Sequence, residues 1–368
     1  MRIAIPMKSY DATWGGPGTY TIELVNRLAR MPGKHEYALL YPGDVTARVE
    51  GARQGVRQVD TGGKRGIIWD QLTVARAATE AGADLLFSPF MSVPLRGRFK
   101  KMFTIHGAER YVVPGMLQPH QYLRWLFMDR FLVSASDRII AVSQTMGHEY
   151  CRATGCDPAK VRAIPLGVSD VFRVVDDAAQ LAAVKAKHGL PDKFVLFVGR
   201  LFPNKNFGNL LRAFARIVDR VPHQLVVAGG VRWKFKQDLE LVSQLKLESR
   251  VSFVDFVSQD DLIALYNLAD CFAYPSLYES FGLAQVEAMA CGCPVVAANT
   301  GALPEIAGDA ALLCDPHDPE AIAAGILRVV SDREFRAAQV AKGLARAKRY
   351  TWDRCAVATE QLFDEVTG

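Results

Sequence analysis

The sequence predicts an α/β protein made of two separate parallel-sheet halves, and three observations lead to that expectation. At 368 residues the chain exceeds what one ordinary hydrophobic core holds. Short apolar runs of strand length alternate with segments of helical periodicity, the pattern of strand–helix–strand units. A strand, a loop and a helix open the chain over residues 2–30, and the same succession returns over residues 193–218.

In the first half, Arg2 to Met7 reads as a strand. The loop from Lys8 to Gly18 contains Gly15-Gly16-Pro17-Gly18, and Thr19 is placed to cap a helix through Arg30, apolar at Ile22, Val25, Leu28 and Ala29. The glycine spacing is not G-x-G-x-x-G, which argues against a dinucleotide site. His35 to Tyr41 is a second strand, Val45 to Gly66 a strand flanked by loops, and Ile68 to Ala81 a helix. Leu85-Leu86-Phe87 begins another strand, and Met102 to His106 is the next. A histidine at the carboxyl end of a strand stands where ligands bind in open α/β sheets, so His106 is a candidate; the bland alternative is a loop cap. The segment Gln118 to Ser136 is apolar at helical spacing, with Trp125, Phe127 and Phe131. It reads either as a core helix or, with Arg96, Arg98, Lys100 and Lys101, as a membrane-contacting surface. Arg138 to Ser143 is a strand, Gln144 to Thr154 a helix, and Val161 to Pro165 closes the expected domain 1–168.

The second domain is expected over 169–350. A charged helix at 176–189 precedes the strand Lys193 to Arg200, and the loop Leu201 to Asn206 enters a helix from Phe207 to Val218. Arg200 and Lys205 flank that loop. A guanidinium grips phosphate through two donors and an ammonium acts as a point charge, each charge-assisted bond contributing about 1.5–3 kcal/mol. Strands at Gln224 to Gly230 and Arg250 to Phe256 alternate with helices at Phe235 to Leu245 and Asp260 to Ala269. Cys271 to Tyr274 is a buried strand ended by Pro275. Ser280 is then the expected N-cap of a helix from about Phe281 to Cys291, with Gly282 leaving the amide groups bare for an anion. Glu279 precedes this helix and Glu287 stands about two turns inside it, on the order of 12 Å further along the axis. Carboxylates accept hydrogen bonds only and suit vicinal diols, so the stretch reads as a cradle for a nucleotide-linked sugar. Pro294 to Asn299 and Ala310 to Cys314 complete the strands. Helices follow at Leu303, Pro319 to Val330 and Arg333 to Lys348, and a last one starts near Trp352.

Composition narrows the class. Half of the residues are apolar and 23% charged, as in globular proteins. No apolar run approaches the roughly 20 residues that span a bilayer, and Met1 to Pro6 lacks a signal-peptide pattern. Seven irregularly spaced cysteines argue for a reducing cytosol, and Cys291-Gly292-Cys293 has no second pair at zinc spacing. The net charge of +5 is uneven: residues 1–170 hold 22 Lys and Arg against 15 Asp and Glu, residues 171–368 hold 22 against 24. A basic first half suits an anionic membrane or a lipid-phosphate acceptor, or is simply a basic soluble domain. No basic helix or RNA-type aromatic signature supports nucleic acid.

Glu279 and Glu287, with seven residues between, resemble the E-x7-E motif of the retaining glycosyltransferases of family 4 (glycosyl transferases group 1). The resemblance continues through Ala290 to Glu305 and through F-V-G-R-L-x-x-x-K-N at Phe197 to Asn206. It covers nearly all of the second half and is looser in the first. It implies the GT-B fold, two Rossmann-like domains facing each other across a cleft, with the last helix (351–368) packing back on the first domain. It also implies a nucleotide-diphosphate sugar as donor and a glycan, glycolipid or small-molecule acceptor, with retention of anomeric configuration. By the same resemblance Gly16 reaches the donor phosphate and Phe256 lies by the nucleobase. Arg200, Lys205 and the amides of Phe281, Gly282 and Leu283 hold the diphosphate. Glu279 orients the sugar, Glu287 the ribose, and His106 the sugar from the first domain. No D-x-D occurs, so neither metal nor cofactor is expected. Ser280 and Ala284, often Gly and Pro in the family, and Gly107, often Asp, depart from the pattern. The wording of Leu277 to Pro316 is similar to mannosyltransferases of bacterial polysaccharide assembly, which makes GDP-mannose the first donor expected, with UDP-sugars the alternative. Cytoplasmic placement, with peripheral contact to the inner membrane face, is the expected location. Two other readings stay open, a sugar-nucleotide epimerase or hydrolase on the same architecture and a non-catalytic nucleotide-sugar sensor.

Overall fold

The computed structural model describes residues 1–113, 116–229, 235–255 and 257–367. The chain divides into two compact units, one of Met1–Gly167 with Trp352–Gly368 and one of Val168–Thr351.

The first unit runs β1 (Arg2–Pro6), α1 (Gly16–Arg30), β2 (Glu36–Tyr41), β3 (Val56–Asp60), α2 (Val74–Glu80), β4 (Leu85–Ser88), β5 (Lys100–Ile105), α3 (Glu109–Val112), α4 (Pro119–Ala135), β6 (Arg138–Ala141), α5 (Gln144–Thr154) and β7 (Val161–Ala163). The strands form one sheet ordered β3-β2-β1-β4-β5-β6-β7, every pair parallel. A parallel sheet is covered on both faces, so its strands are apolar almost throughout: Ile3, Ile5, Leu39, Leu86, Phe103 and Ile140 are fully buried. Helix α1 starts three residues before Thr19, because Gly15 at φ 64° supplies the N-cap and Pro17 fits the first turn. From Ile68 onward the expected helix is real but begins with a π-helical turn, Trp69–Thr73.

The second unit runs α6 (Ala178–Lys187), β8 (Phe194–Val198), α7 (Phe207–Ile217), β9 (Gln224–Ala228), α8 (Phe235–Gln244), β10 (Val251–Val254), α9 (Gln259–Leu268), β11 (Cys271–Tyr274), α10 (Leu283–Ala290), β12 (Val295–Ala298), α11 (Leu303–Ala307), β13 (Ala311–Cys314), α12 (Pro319–Ser331) and α13 (Arg333–Ala347). Its sheet is also all-parallel, ordered β10-β9-β8-β11-β12-β13. Helix α7 buries Phe207, Leu210, Leu211, Phe214 and Ile217 at the spacing of one helical face, against Val195, Phe197 and Leu225 of the sheet and Ile322 and Ile326 of α12. The last helix, α14 (Trp352–Thr367), belongs to the first unit: the Tyr37 hydroxyl donates to Glu360 at 2.9 Å and Phe363 packs on Phe87 at 5.2 Å.

Both sheets reverse direction once. Chain order runs outward from β1 to β3 on one side and from β4 to β7 on the other; in the second unit the reversal lies between β8 and β11. Loops leaving two adjacent strands at such a point diverge to opposite faces and open a crevice at the strands' carboxyl ends, where ligands of open α/β sheets bind. All seven cysteines are buried and free. Among the described residues no helix is long and apolar enough to cross a membrane.

Candidate active site

In the second unit the reversal brings together the loop after β8, which contains Arg200 and Lys205, and the loop after β11, which contains Glu279. The two are stapled directly. The Leu277 amide donates to the Asn204 carbonyl at 2.7 Å, and the Asn206 side-chain amide donates to the carbonyls of Pro275 and Pro316 at 3.0 and 2.6 Å. Asn206 is buried and left-handed at φ 60°, a conformation asparagine tolerates because its short polar chain bonds locally.

Inside this frame Lys205 donates to Glu279 Oε1 at 2.5 Å and to the Tyr274 hydroxyl at 3.3 Å, and its ammonium lies 5.1 Å from the Tyr274 ring centre. Burial works against the ammonium charge, but the Glu279 carboxylate and the Tyr274 hydroxyl outweigh it and hold the lysine above its usual range. The same burial, with Glu279 beside it, pushes the Tyr274 hydroxyl up. Arg200 is exposed and makes no side-chain hydrogen bond or ion pair among the described residues.

The Glu279 backbone is equally fixed: its carbonyl accepts from the Ala302 amide at 2.9 Å, and a Cβ on Gly301 (φ 55°) would sit 2.7 Å from that oxygen. Ser280 does not cap the following helix. Gly282 does, at φ 84°, and α10 begins at Leu283. A side chain there would be strained and would meet Leu303 Cδ2 at 2.4 Å, so the chain turns at the glycine instead of continuing a helix from Phe281. The Phe281 ring is buried edge-on against Tyr350 at 5.6 Å, which leaves only its backbone for a ligand. Glu287 therefore stands little more than one turn into α10, about 6 Å along the axis from Leu283, and a separation of Glu279 and Glu287 by two helical turns does not hold. Burial pushes the Glu287 carboxyl up to about 7, offset in part by the Tyr266 hydroxyl, which donates to it at 3.4 Å. Phe256 lies outside the described residues.

The first unit has its own set at the reversal between β1 and β4. Lys8, just past β1, donates to Asp70 at 2.7 Å, both almost fully buried, and its ammonium lies 4.9 Å from the ring centre of Phe90, just past β4. Trp14 meets Phe90 edge-on at 5.1 Å. His106 follows β5 and stands between rings, edge-on to Tyr20 at 4.9 Å and stacked on Phe90 at 6.2 Å. Its Nε2 donates to the Pro89 carbonyl at 2.7 Å. Burial lowers its pKa to about 4, so the ring is neutral and presents Nδ1 as an acceptor. Gly16 is the exposed first residue of α1, with open space where a side chain would be.

Sequence reasoning did not single out Tyr274, Asn206 or the Lys8–Asp70 pair. Tyr274 read as a strand end. The signal for Asn206 was available in the Lys-Asn pair entering a helix, but nothing local marks a pairing across 62 residues. No three His, Cys, Asp or Glu side chains among the described residues form a group that would hold a metal ion.

Residues 182–346 match the model of the glycosyl transferases group 1 and residues 14–171 that of glycosyltransferase family 4. O-antigen chain mannosyltransferase B of Escherichia coli is 32% identical over 262 residues, which are 70% of this chain and 68% of that protein. The chain belongs to the group 1 glycosyltransferases. The serotype-specific mannosyltransferase WbdA of E. coli is 34% identical over 224 residues, 59% of this chain but only 27% of that longer protein. Among solved structures, sucrose-phosphate synthase of Thermosynechococcus elongatus superposes with a TM-score of 0.79 at 22% identity, over 100% of this chain and 99% of that one. The fold of this group 1 glycosyltransferase is thus GT-B, and its activity is glycosyl transfer.

Proposed function

We propose that this enzyme is a retaining, metal-independent hexosyltransferase that takes mannose, or a glucose-type sugar, from a nucleoside-diphosphate donor to a glycan or glycolipid acceptor in polysaccharide or glycoconjugate synthesis. The observation that carries the reading is the Lys205–Glu279 pair at 2.5 Å, a half-buried cation between two stapled loops at the sheet reversal. GDP-mannose is the first donor to test, because two relatives are named mannosyltransferases.

Without donor, Glu279 is the counter-ion of Lys205. A diphosphate carries more charge than one carboxylate and takes the ammonium over. Glu279 is then released to accept sugar hydroxyls, and Tyr274 keeps the lysine in place. Arg200 adds two parallel donors to the phosphates. The first-turn amides of α10, with the partial positive charge of the helix N-terminus, meet the same anion. Lys205, Arg200 and α10 thereby stabilise the negative charge that grows on the leaving diphosphate. Glu287 accepts the ribose hydroxyls. In the first unit His106, neutral and tied at Nε2, accepts a sugar hydroxyl at Nδ1; Gly16 leaves its helix end open to phosphate. In this reading Glu279 and Glu287 serve binding and neither acts as a covalent nucleophile. The acceptor oxygen therefore attacks from the face the diphosphate leaves, and a phosphate oxygen takes its proton.

The test is incubation with GDP-mannose, GDP-glucose, UDP-glucose and UDP-galactose, following nucleoside diphosphate release with and without oligomannoside acceptors, and with chelator present. Transfer from GDP-mannose with an α-linked product and no chelator sensitivity is expected. Turnover confined to UDP-sugars would replace the donor assignment, and a β-linked product would remove retention.

A further inference from the structure

Helix α4 is built inside out. Among its 17 residues the one that is fully buried is a carboxylate, Asp129. Arg110 donates to it at 2.6 Å and Tyr111 at 2.5 Å, while Arg130 ties the same part of the helix to the Thr154 carbonyl at 3.0 Å. These polar bonds hold one side of the helix to the body, where Tyr122 also packs edge-on against Tyr111 at 5.6 Å and Leu126, Leu132 and Val133 are half-buried. The outward side carries the large apolar residues: Leu123 is 64% exposed, Phe127 62% and Phe131 47%. Spaced four apart, they form one stripe about 12 Å long, and the two phenylalanine rings already touch edge-on at 4.7 Å. Arg124 and Arg130, both exposed, fall on either side of that stripe at about 100° per residue. The helix has no acid other than Asp129.

The core-helix reading of this segment is overturned, and an exposed aromatic stripe of this size marks an interaction surface. Its charge decides the partner. A second copy docking by the same stripe would bring four arginines together with no carboxylate on the face to pair them. An anionic lipid surface supplies both counter-charge and an apolar layer, and an interfacial helix lies in it with its apolar side among the acyl chains and its cations at the headgroups. We propose that α4 is a lipid-docking helix: Leu123, Phe127 and Phe131 enter the outer acyl region of an anionic membrane and Arg124 and Arg130 meet the phosphates. The inference is independent of the donor reading, since binding is measured without turnover.

The test uses the intact protein and co-sedimentation with vesicles of phosphatidylglycerol and phosphatidylcholine in equal parts, or of phosphatidylcholine alone, at physiological salt. The wild type sediments with the anionic vesicles and much less with the neutral ones. The double variant Leu123→Ser/Phe127→Ser loses on the order of tenfold or more in partitioning, and Arg124→Gln loses several-fold. Both keep the wild-type melting temperature, because these side chains are exposed. Absence of sedimentation, or equal sedimentation of wild type and double variant, overturns the proposal. So does a concentration-dependent dimer of the wild type in sedimentation velocity that the double variant lacks, because a second copy would then cover the face.

Discussion

The two sheet reversals hold similar parts to different ends. Each has a lysine, buried in the first unit and half-buried in the second, bonded to a carboxylate at 2.5–2.7 Å with an aromatic ring beneath the ammonium. In the second unit the pair joins two loops that also meet through their backbones. In the first unit Lys8 and Asp70 pin the start of the chain to the π-helical turn before α2, among rings. We propose that the same kind of ion pair is an exchangeable counter-ion in the second unit and a fixed strut in the first. What separates them is burial: the Lys8 and Asp70 side chains are 8% and 11% exposed, those of Lys205 and Glu279 19% and 14%.

That contrast is broken most sharply at Lys8. Lys8→Met leaves Asp70 buried without a partner and is expected to destabilise the first unit by about 3–5 kcal/mol, read by urea unfolding, while nucleotide binding to the folded fraction is unchanged. A mild stability effect with lost binding would make Lys8 a ligand group instead.

A smaller effect is expected at Asn206. Asn206→Ala removes two buried hydrogen bonds and strains a left-handed residue, at a cost of about 2 kcal/mol. Asn206→Gly keeps the backbone but not the staples, so it should recover part of the stability and little of the donor affinity. Equal affinity in all three proteins would show that the loops need no stapling.

Glu287 sharpens the comparison by pH. Its folded pKa, about 7, lies above the usual carboxylate value, so the folded state holds that proton more tightly. The associated stability is fully present below the unfolded value near 4.5 and is lost as pH rises through about 7. Glu287→Gln should flatten the pH dependence of melting across that window, by on the order of 1–2 kcal/mol. An unchanged slope would mean that the carboxyl is solvated. The smallest signal is at His106, whose ring carbon resonances should stay in the neutral form between about pH 8 and about pH 5. A midpoint near 6.5 would contradict its burial between Tyr20 and Phe90.

The second unit was the more legible of the two because its site is local in sequence: Glu279, Gly282 and Glu287 fall within nine residues, and Lys205 sits in one loop. Strand and helix identities followed from apolar periodicity in both units. The helix cap did not, because the obstacle at Gly282 is Leu303, a residue from another element. Spacing placed Gln118 to Ser136 in a helix but said nothing of which side faces the body; the single carboxylate of the helix, Asp129, was the clue. The partners of Lys8 and His106 come from chain-distant segments, the π-helical turn at Asp70, α1 at Tyr20 and the loop after β4 at Pro89 and Phe90.

The central claim is that Lys205 exchanges Glu279 for a donor diphosphate, and calorimetry tests it most directly. GDP and UDP, free and sugar-linked, titrated into wild type and Lys205→Met should show one nucleotide series binding to the wild type, more weakly as salt rises, with affinity lost on the order of a hundredfold in the variant. No heat from any nucleotide, or equal affinity in the two proteins, would contradict it.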